Sequence, residues 1–172
     1  MIVIPPALTE RPLVHYVAQP RSVTMATFGE AIGEALDVVG GWLAEHRTFP
    51  VGPPIVRYRV IDMAGALEVE IGFPVAHPVE AADGLVADTL PAGTYAVATY
   101  RNVAEGVEGN GALIDWARDN GIEWDSSPSG AGEAFACRVE VMLGDPSVEP
   151  DPALWDTEVA ILVAKDSTHG GS

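Results

Sequence analysis

The chain of 172 residues holds one cysteine, Cys137, and one lysine, Lys165, against 25 acidic residues. A single cysteine excludes an intrachain disulfide framework and any paired-cysteine metal or redox motif, and it fits a reducing compartment. In its apolar run, Cys137 reads as a small core residue rather than a nucleophile. The shortage of basic residues leaves a formal charge of −16 and no basic stripe for phosphates, so neither direct nucleic-acid contact nor an anionic membrane surface is expected. Such a charge favours solubility and attracts cations. No segment approaches the roughly 18 apolar residues of a membrane span. The opening MIVIPPALTERPLVHY is broken by Pro5 and Pro6 and lacks a basic leader region, so it does not read as a signal peptide. A cytoplasmic protein is expected. The four histidines, His15, His46, His77 and His169, are dispersed, and no metal site is expected. Nucleophile-elbow, P-loop and dinucleotide fingerprints are also missing, and no cofactor is expected.

What is present is amphipathic patterning of two kinds. From Phe28 to His46, the residues Ile32, Ala35, Leu36, Val39, Trp42 and Leu43 recur at helical intervals, and Thr27 with Glu30 forms a capping-box signature. Alternation then predicts strands over Ile55–Asp62 and Leu67–Val75. A connection from His77 to Pro91 carries no strong period. The same grammar recurs: Val23–Phe28 lines up as a strand with Tyr95–Tyr100, the helix ending Trp42–His46 with Trp116–Asn120, and Glu70–Val75 with Glu158–Val163. The expectation is an α+β domain over residues 1–165, built from a tandem β-α-β-β repeat (halves about 12–76 and 88–165). Its antiparallel sheets would pack about a pseudo-two-fold axis and leave a central ligand groove. A disordered tail is expected at 166–172.

The stretch Ala134–Leu143 reads as one strand, with Phe135, Cys137, Val139, Val141 and Leu143 on a core face and Ala136, Arg138, Glu140 and Met142 on the other. Glu140 is then either a solvated outer-face residue or a partly desolvated carboxylate in the groove, able to bind a cation or accept a proton. Candidate walls are Tyr58, Met25, Phe28, Tyr95, Tyr100, Trp116, Met142 and Trp155. An aromatic box with one acid suits a flat, delocalised, often cationic organic molecule. Gly106, Gly109 and Gly111 weaken the second helix, so Asn102–Gly111 is expected to fray or form a loop that could move as a lid.

Five pieces in order resemble the GyrI-like small-molecule-binding domains, related to the effector-binding domains of AraC-type and MerR-type multidrug-responsive regulators. They are Arg57–Asp62, Leu67–Val75, Leu90–Val97, Asp115–Gly121 and the acidic run Glu140–Pro146 followed by Glu149–Ile161. The resemblance implies a tandem β-α-β-β fold whose groove carboxylate, Glu140 here, faces hydrophobic cationic ligands. With no segment left over for a helix-turn-helix, the chain resembles the stand-alone members. The implied function is binding of hydrophobic, planar molecules, cationic ones included, as a bacterial sensor or scavenger. Two alternatives come with the family. One is a hydrolase opening cyclopropane-bearing alkylating natural products, with Glu140 and Tyr58 as catalytic residues. The other is an acidic protein-interaction module of gyrase-inhibitor type. The partner is then an aromatic small molecule or a protein, and the chain a monomer or homodimer. Haem, bound in a related fold, would need a histidine in the groove. The sequence departs from the family around the acid, where Val139 and Met142 replace the usual tyrosines, and after Tyr95, where Thr99–Val103 replaces a His-x-Gly-Pro-Tyr stretch.

Overall fold

The computed structural model describes residues 1–62 and 64–165, and the tail expected to be disordered lies outside them. Strands β1 (Ile2–Arg11), β2 (Val14–Val23), β3 (Ile55–Ile61), β4 (Leu67–Val75), β5 (Val86–Leu90), β6 (Gly93–Arg101), β7 (Ser126–Ser129), β8 (Gly132–Phe135), β9 (Arg138–Met142) and β10 (Asp156–Leu162) form one sheet. Helices α1 (Phe28–Glu45) and α2 (Gly106–Asp119) complete an α+β fold. All the strand pairs are antiparallel, in the order β1-β6-β10-β9-β3-β4-β2-β5, with the β7–β8 hairpin attached to β3. No helix among the described residues is long and apolar enough to cross a membrane.

Helix α1 follows its periodicity, burying Ala31, Ala35, Val39, Trp42 and Leu43 at spacings of three and four. The capping box does not form. Thr27 makes no side-chain cap; its hydroxyl instead accepts from the Thr24 amide at 3.0 Å and closes the turn before the helix. That turn also corrects the expected strand Val23–Phe28: β2 ends at Val23, and the long strands β1 and β2 precede it. On one face of the sheet, α1 covers Val56, Tyr58, Val69 and Ile71, while α2 covers Ala98, Tyr100, Val159 and Ile161. On the other face, Tyr16, Ile55, Tyr95, Val139 and Ala160 share a core. Because β2 and β6 stand far apart in the strand order, the sheet curves until its flanks meet over that core.

The expected strand Ala134–Leu143 is broken at Ala136 and Cys137. The Ala136 amide donates to the Asp125 carbonyl, and its own carbonyl accepts from Arg57, so both polar groups leave the ladder. The break turns Phe135 to the α2 side while Cys137 and Val139 face the opposite core. Phe135 therefore does not share a face with Cys137 as the alternation had suggested.

Candidate functional site

Strands β3 and β9 pair at the centre of the sheet, where Val56 stands opposite Glu140 and places the carboxylate on the helix-covered face, between the two helices. Three donors from three elements reach it. The Tyr58 hydroxyl on β3 donates to Oε1 at 2.9 Å, the Tyr100 hydroxyl on β6 to Oε2 at 3.3 Å, and Asn110 Nδ2 on α2 to Oε1 at 3.4 Å. Phe28, the first residue of α1, stacks on Tyr58 with ring centres 5.8 Å apart and planes 6° from parallel. Met142 packs against the same cluster. Arg138, two residues before Glu140 on β9, places its guanidinium 5.9 Å from the Tyr58 ring centre and 4.9 Å from that of Phe135, and donates to Asn110 Oδ1 at 2.9 Å.

The electrostatics follow from that packing. Burial raises the Tyr58 phenol well above its ordinary value, and the neighbouring Glu140 charge raises it further. Tyr100 is raised by the same two causes in the same order. Both phenols therefore stay protonated and act as donors to the carboxylate at neutral pH. Burial lowers Arg138, against the attraction of Tyr58, Glu140 and Glu133. The arrangement is one carboxylate and one guanidinium among aromatic faces, suited to orienting a polar aromatic molecule.

Glu140, Tyr58, Tyr100, Phe28 and Met142 are thus brought together. Four expected walls are not part of this cluster. Tyr95 lies five residues before Tyr100 on β6, so its ring points to the opposite core, where its hydroxyl donates to the Pro91 carbonyl at 2.6 Å. Trp116 packs against the α2-side core that includes Ala98, Leu113 and Val159 and, among the described residues, makes no hydrogen bond or ring contact with the Glu140 cluster. Trp155 donates to the Glu149 carbonyl at 2.6 Å and packs so closely on Gly144 that any side chain there would overlap its ring. Met25 is 52% exposed in the turn before α1. Asn110 and Arg138 join the site unannounced by the sequence reading. Arg138 had been placed on the Glu140 face by alternation and could have been drawn from there, whereas nothing in the local pattern marks Asn110.

Two clefts open elsewhere. One, of about 190 Å³, lies between the end of β2 and the start of α1 and is lined by Arg21, Val23, Thr27, Glu30 and Glu34 among others. The second, of about 240 Å³, is lined by His15, Tyr16, Pro78, Val79, Asp88 and neighbours. Neither includes Glu140.

No family model and no curated protein matches the sequence. Solved structures do match in shape. The EcmrR chain in an EcmrR–DNA complex superposes with a TM-score of 0.75 at 16% identity; the match covers 96% of the present chain, which spans only 59% of that one. The crystal structure of the EcmrR C-terminal domain superposes at 0.72 and 16% identity, covering 95% of this chain and 99% of that domain. A hydrolase from Listeria innocua gives 0.61 at 11% identity over 95% and 94% of the two chains. SAV2435 bound to tetraphenylphosphonium gives 0.59 at 11% over 96% and 97%. At these identities the likeness establishes the fold alone, and that fold is the one of the EcmrR C-terminal domain: a mostly antiparallel sheet carrying two helices.

Proposed function

We propose that residues 1–165 form a single ligand-binding domain of GyrI-like type that takes hydrophobic, planar small molecules, cationic ones included, at the β3–β9 seam, as a cytoplasmic sensor or scavenger. The observation that carries this reading is the Glu140 carboxylate held by the Tyr58 and Tyr100 hydroxyls beside the Phe28–Tyr58 stack. The ligand of SAV2435, tetraphenylphosphonium, shares the lipophilic, aromatic and cationic character of that class, though its tetrahedral phosphorus makes it not planar. The strand order supports the two-unit reading. β9, β10 and β6 succeed one another outward from the seam in the same way as β3, β4 and β2, and α1 and α2 follow β2 and β6 in turn. Halves of about 12–76 and 88–165 contain these elements, with β1 and β5 added at the two sheet edges.

A ligand that reaches the Glu140 carboxylate replaces the hydroxyls of Tyr58 and Tyr100 and the Asn110 amide that now hold it. Calorimetric titration of tetraphenylphosphonium and of the neutral triphenylphosphine oxide into wild type and Glu140→Gln tests the anchor. The substitution costs about 1–3 kcal/mol of binding for the cation and much less for the neutral molecule. Equal losses for both contradict a countercharge role.

The Tyr58–Glu140 hydrogen bond also supports a second reading, in which Glu140 activates water with Tyr58 orienting the substrate, as the shape match to a Listeria innocua hydrolase allows. A time course with a cyclopropane-bearing alkylator separates the two. Product beyond one equivalent supports the hydrolase, and saturation without product supports the binder.

A further inference from the structure

Two arginines point into the protein from neighbouring positions on the central strand pair, and they differ in how well they are satisfied. Arg57, 4% exposed, gives Nη1 to the Tyr16 hydroxyl at 3.0 Å and the Thr89 carbonyl at 2.9 Å, and Nη2 to the Ala136 carbonyl at 2.8 Å. Arg138, on the opposite face, has one hydrogen bond among the described residues, to Asn110 Oδ1; the buried Nε of each arginine is without a partner, so the difference is three acceptors at Arg57 against one at Arg138. Among the described residues, no carboxylate lies within ion-pair distance of Arg138. Glu140, two residues along the same strand face, already accepts from Tyr58, Tyr100 and Asn110. Of the two charges in the site, the acceptor is well supplied with donors and the donor is short of acceptors. A buried donor left without a partner is costly, so the free energy still to be gained at this seam lies in supplying an acceptor.

We infer that Arg138 sets the charge preference of the Glu140 site: as a cation already resident there, it disfavours lipophilic monocations and favours aromatic ligands that carry a hydrogen-bond acceptor beside the ring. The inference rests on the reading of the seam as the ligand site and names the ligand class within it. The guanidinium lies near the rings of Tyr58 and Phe135, the aromatic surface a ligand cation would use. An entering cation must share that surface and one carboxylate with a second positive charge. An entering carbonyl, phosphoryl or carboxylate oxygen meets the under-satisfied fork of Arg138 instead, while its ring stacks on Tyr58 or Phe28. Glu140 remains the group that any cation must use, while Asn110 bridges the two, donating to Glu140 and accepting from Arg138.

The test is calorimetry of tetraphenylphosphonium and triphenylphosphine oxide, close in size and opposite in this respect, with wild type, Arg138→Met and Arg138→Lys. Loss of the charge in R138M makes the phosphonium bind about tenfold tighter and the phosphine oxide about tenfold more weakly. R138K, which keeps the positive charge, keeps the preference against the phosphonium. Thermal melts establish that each variant is folded, and Arg138→Gln carries the same expectation as R138M if the latter does not fold. The inference is overturned if removal of the charge weakens both probes alike, changes neither, or is matched by R138K. In those cases a selective loss of the phosphonium in E140Q still leaves the ligand-binding reading standing. Failure of both probes to bind any of these proteins overturns the reading and the inference together.

Discussion

All four tyrosines hold their protons more tightly than a tyrosine in water, and burial is the leading cause for Tyr16, Tyr58, Tyr95 and Tyr100 alike. Glu70 adds to the effect at Tyr16, and Glu140 at Tyr58 and Tyr100. The sign of the pH dependence follows. Below pH of about 10 both folded and unfolded chains keep these protons and stability is intact. Above it the unfolded chain releases protons that the folded chain retains, and stability falls as pH climbs toward the native values. Phenolate absorbance and far-ultraviolet circular dichroism should therefore change in one alkaline transition; phenolate forming near pH 10 with the dichroism unchanged would contradict the burial of the tyrosines. Glu140 itself was legible in the sequence because a carboxylate in an apolar strand stands out against a period of two. Tyr58 and Tyr100 were legible with it as candidate walls, but their hydrogen bonds to it, and Asn110 altogether, were not, since the three reach it from three other elements that only long-range packing brings together. Tyr95 and Tyr100, an odd number of residues apart on β6, fall on opposite faces, so alternation within that one strand already separates Tyr95 from the Glu140 cluster.

At the scale of elements, α1 was legible because it buries one face, and β3 and β4 because apolar and polar residues alternate along them, although the structure buries both of their faces. Strand β1 was not, since it is an edge strand with most residues exposed and two consecutive prolines, and it shows no alternation. The second helix was expected to fray around its glycines, yet it is regular from Gly106 because two of those glycines allow it to lie against Tyr100. A side chain on Gly109 would overlap the Tyr100 ring, whereas one on Gly111 meets nothing within 4 Å. Urea denaturation should accordingly separate the two. Gly109→Ala destabilises by about 1–3 kcal/mol through overpacking, while Gly111→Ala stabilises by up to about 1 kcal/mol through helix propensity. Equal effects would mean that Tyr100 is not held beneath α2, and the Tyr100–Glu140 contact would fall with it.

Over the whole molecule, most of the 25 acidic residues sit away from the seam, and arginines pair with some of them, as in Arg11–Glu158, Arg59–Asp88 and Arg101–Asp156. Exposed pairs of this kind contribute little to stability. The buried network is different in kind: Arg59 and Arg57 converge with Glu70 on the Tyr16 hydroxyl, on the face of the sheet opposite Glu140. The curved sheet thus carries two polar clusters, one on each face of its central strands, and the second adjoins the 240 Å³ cleft lined by Tyr16 and Asp88. Which of them takes ligand is the central question, and a crystal structure of the complex with tetraphenylphosphonium, or with triphenylphosphine oxide should that bind more tightly, answers it most directly. The expected result is a ligand with its rings against Phe28 and Tyr58, Glu140 in contact and the start of α2 displaced. A ligand seated instead in the cleft beside His15, Tyr16 and Pro78, with the Glu140 seam unchanged, would contradict it.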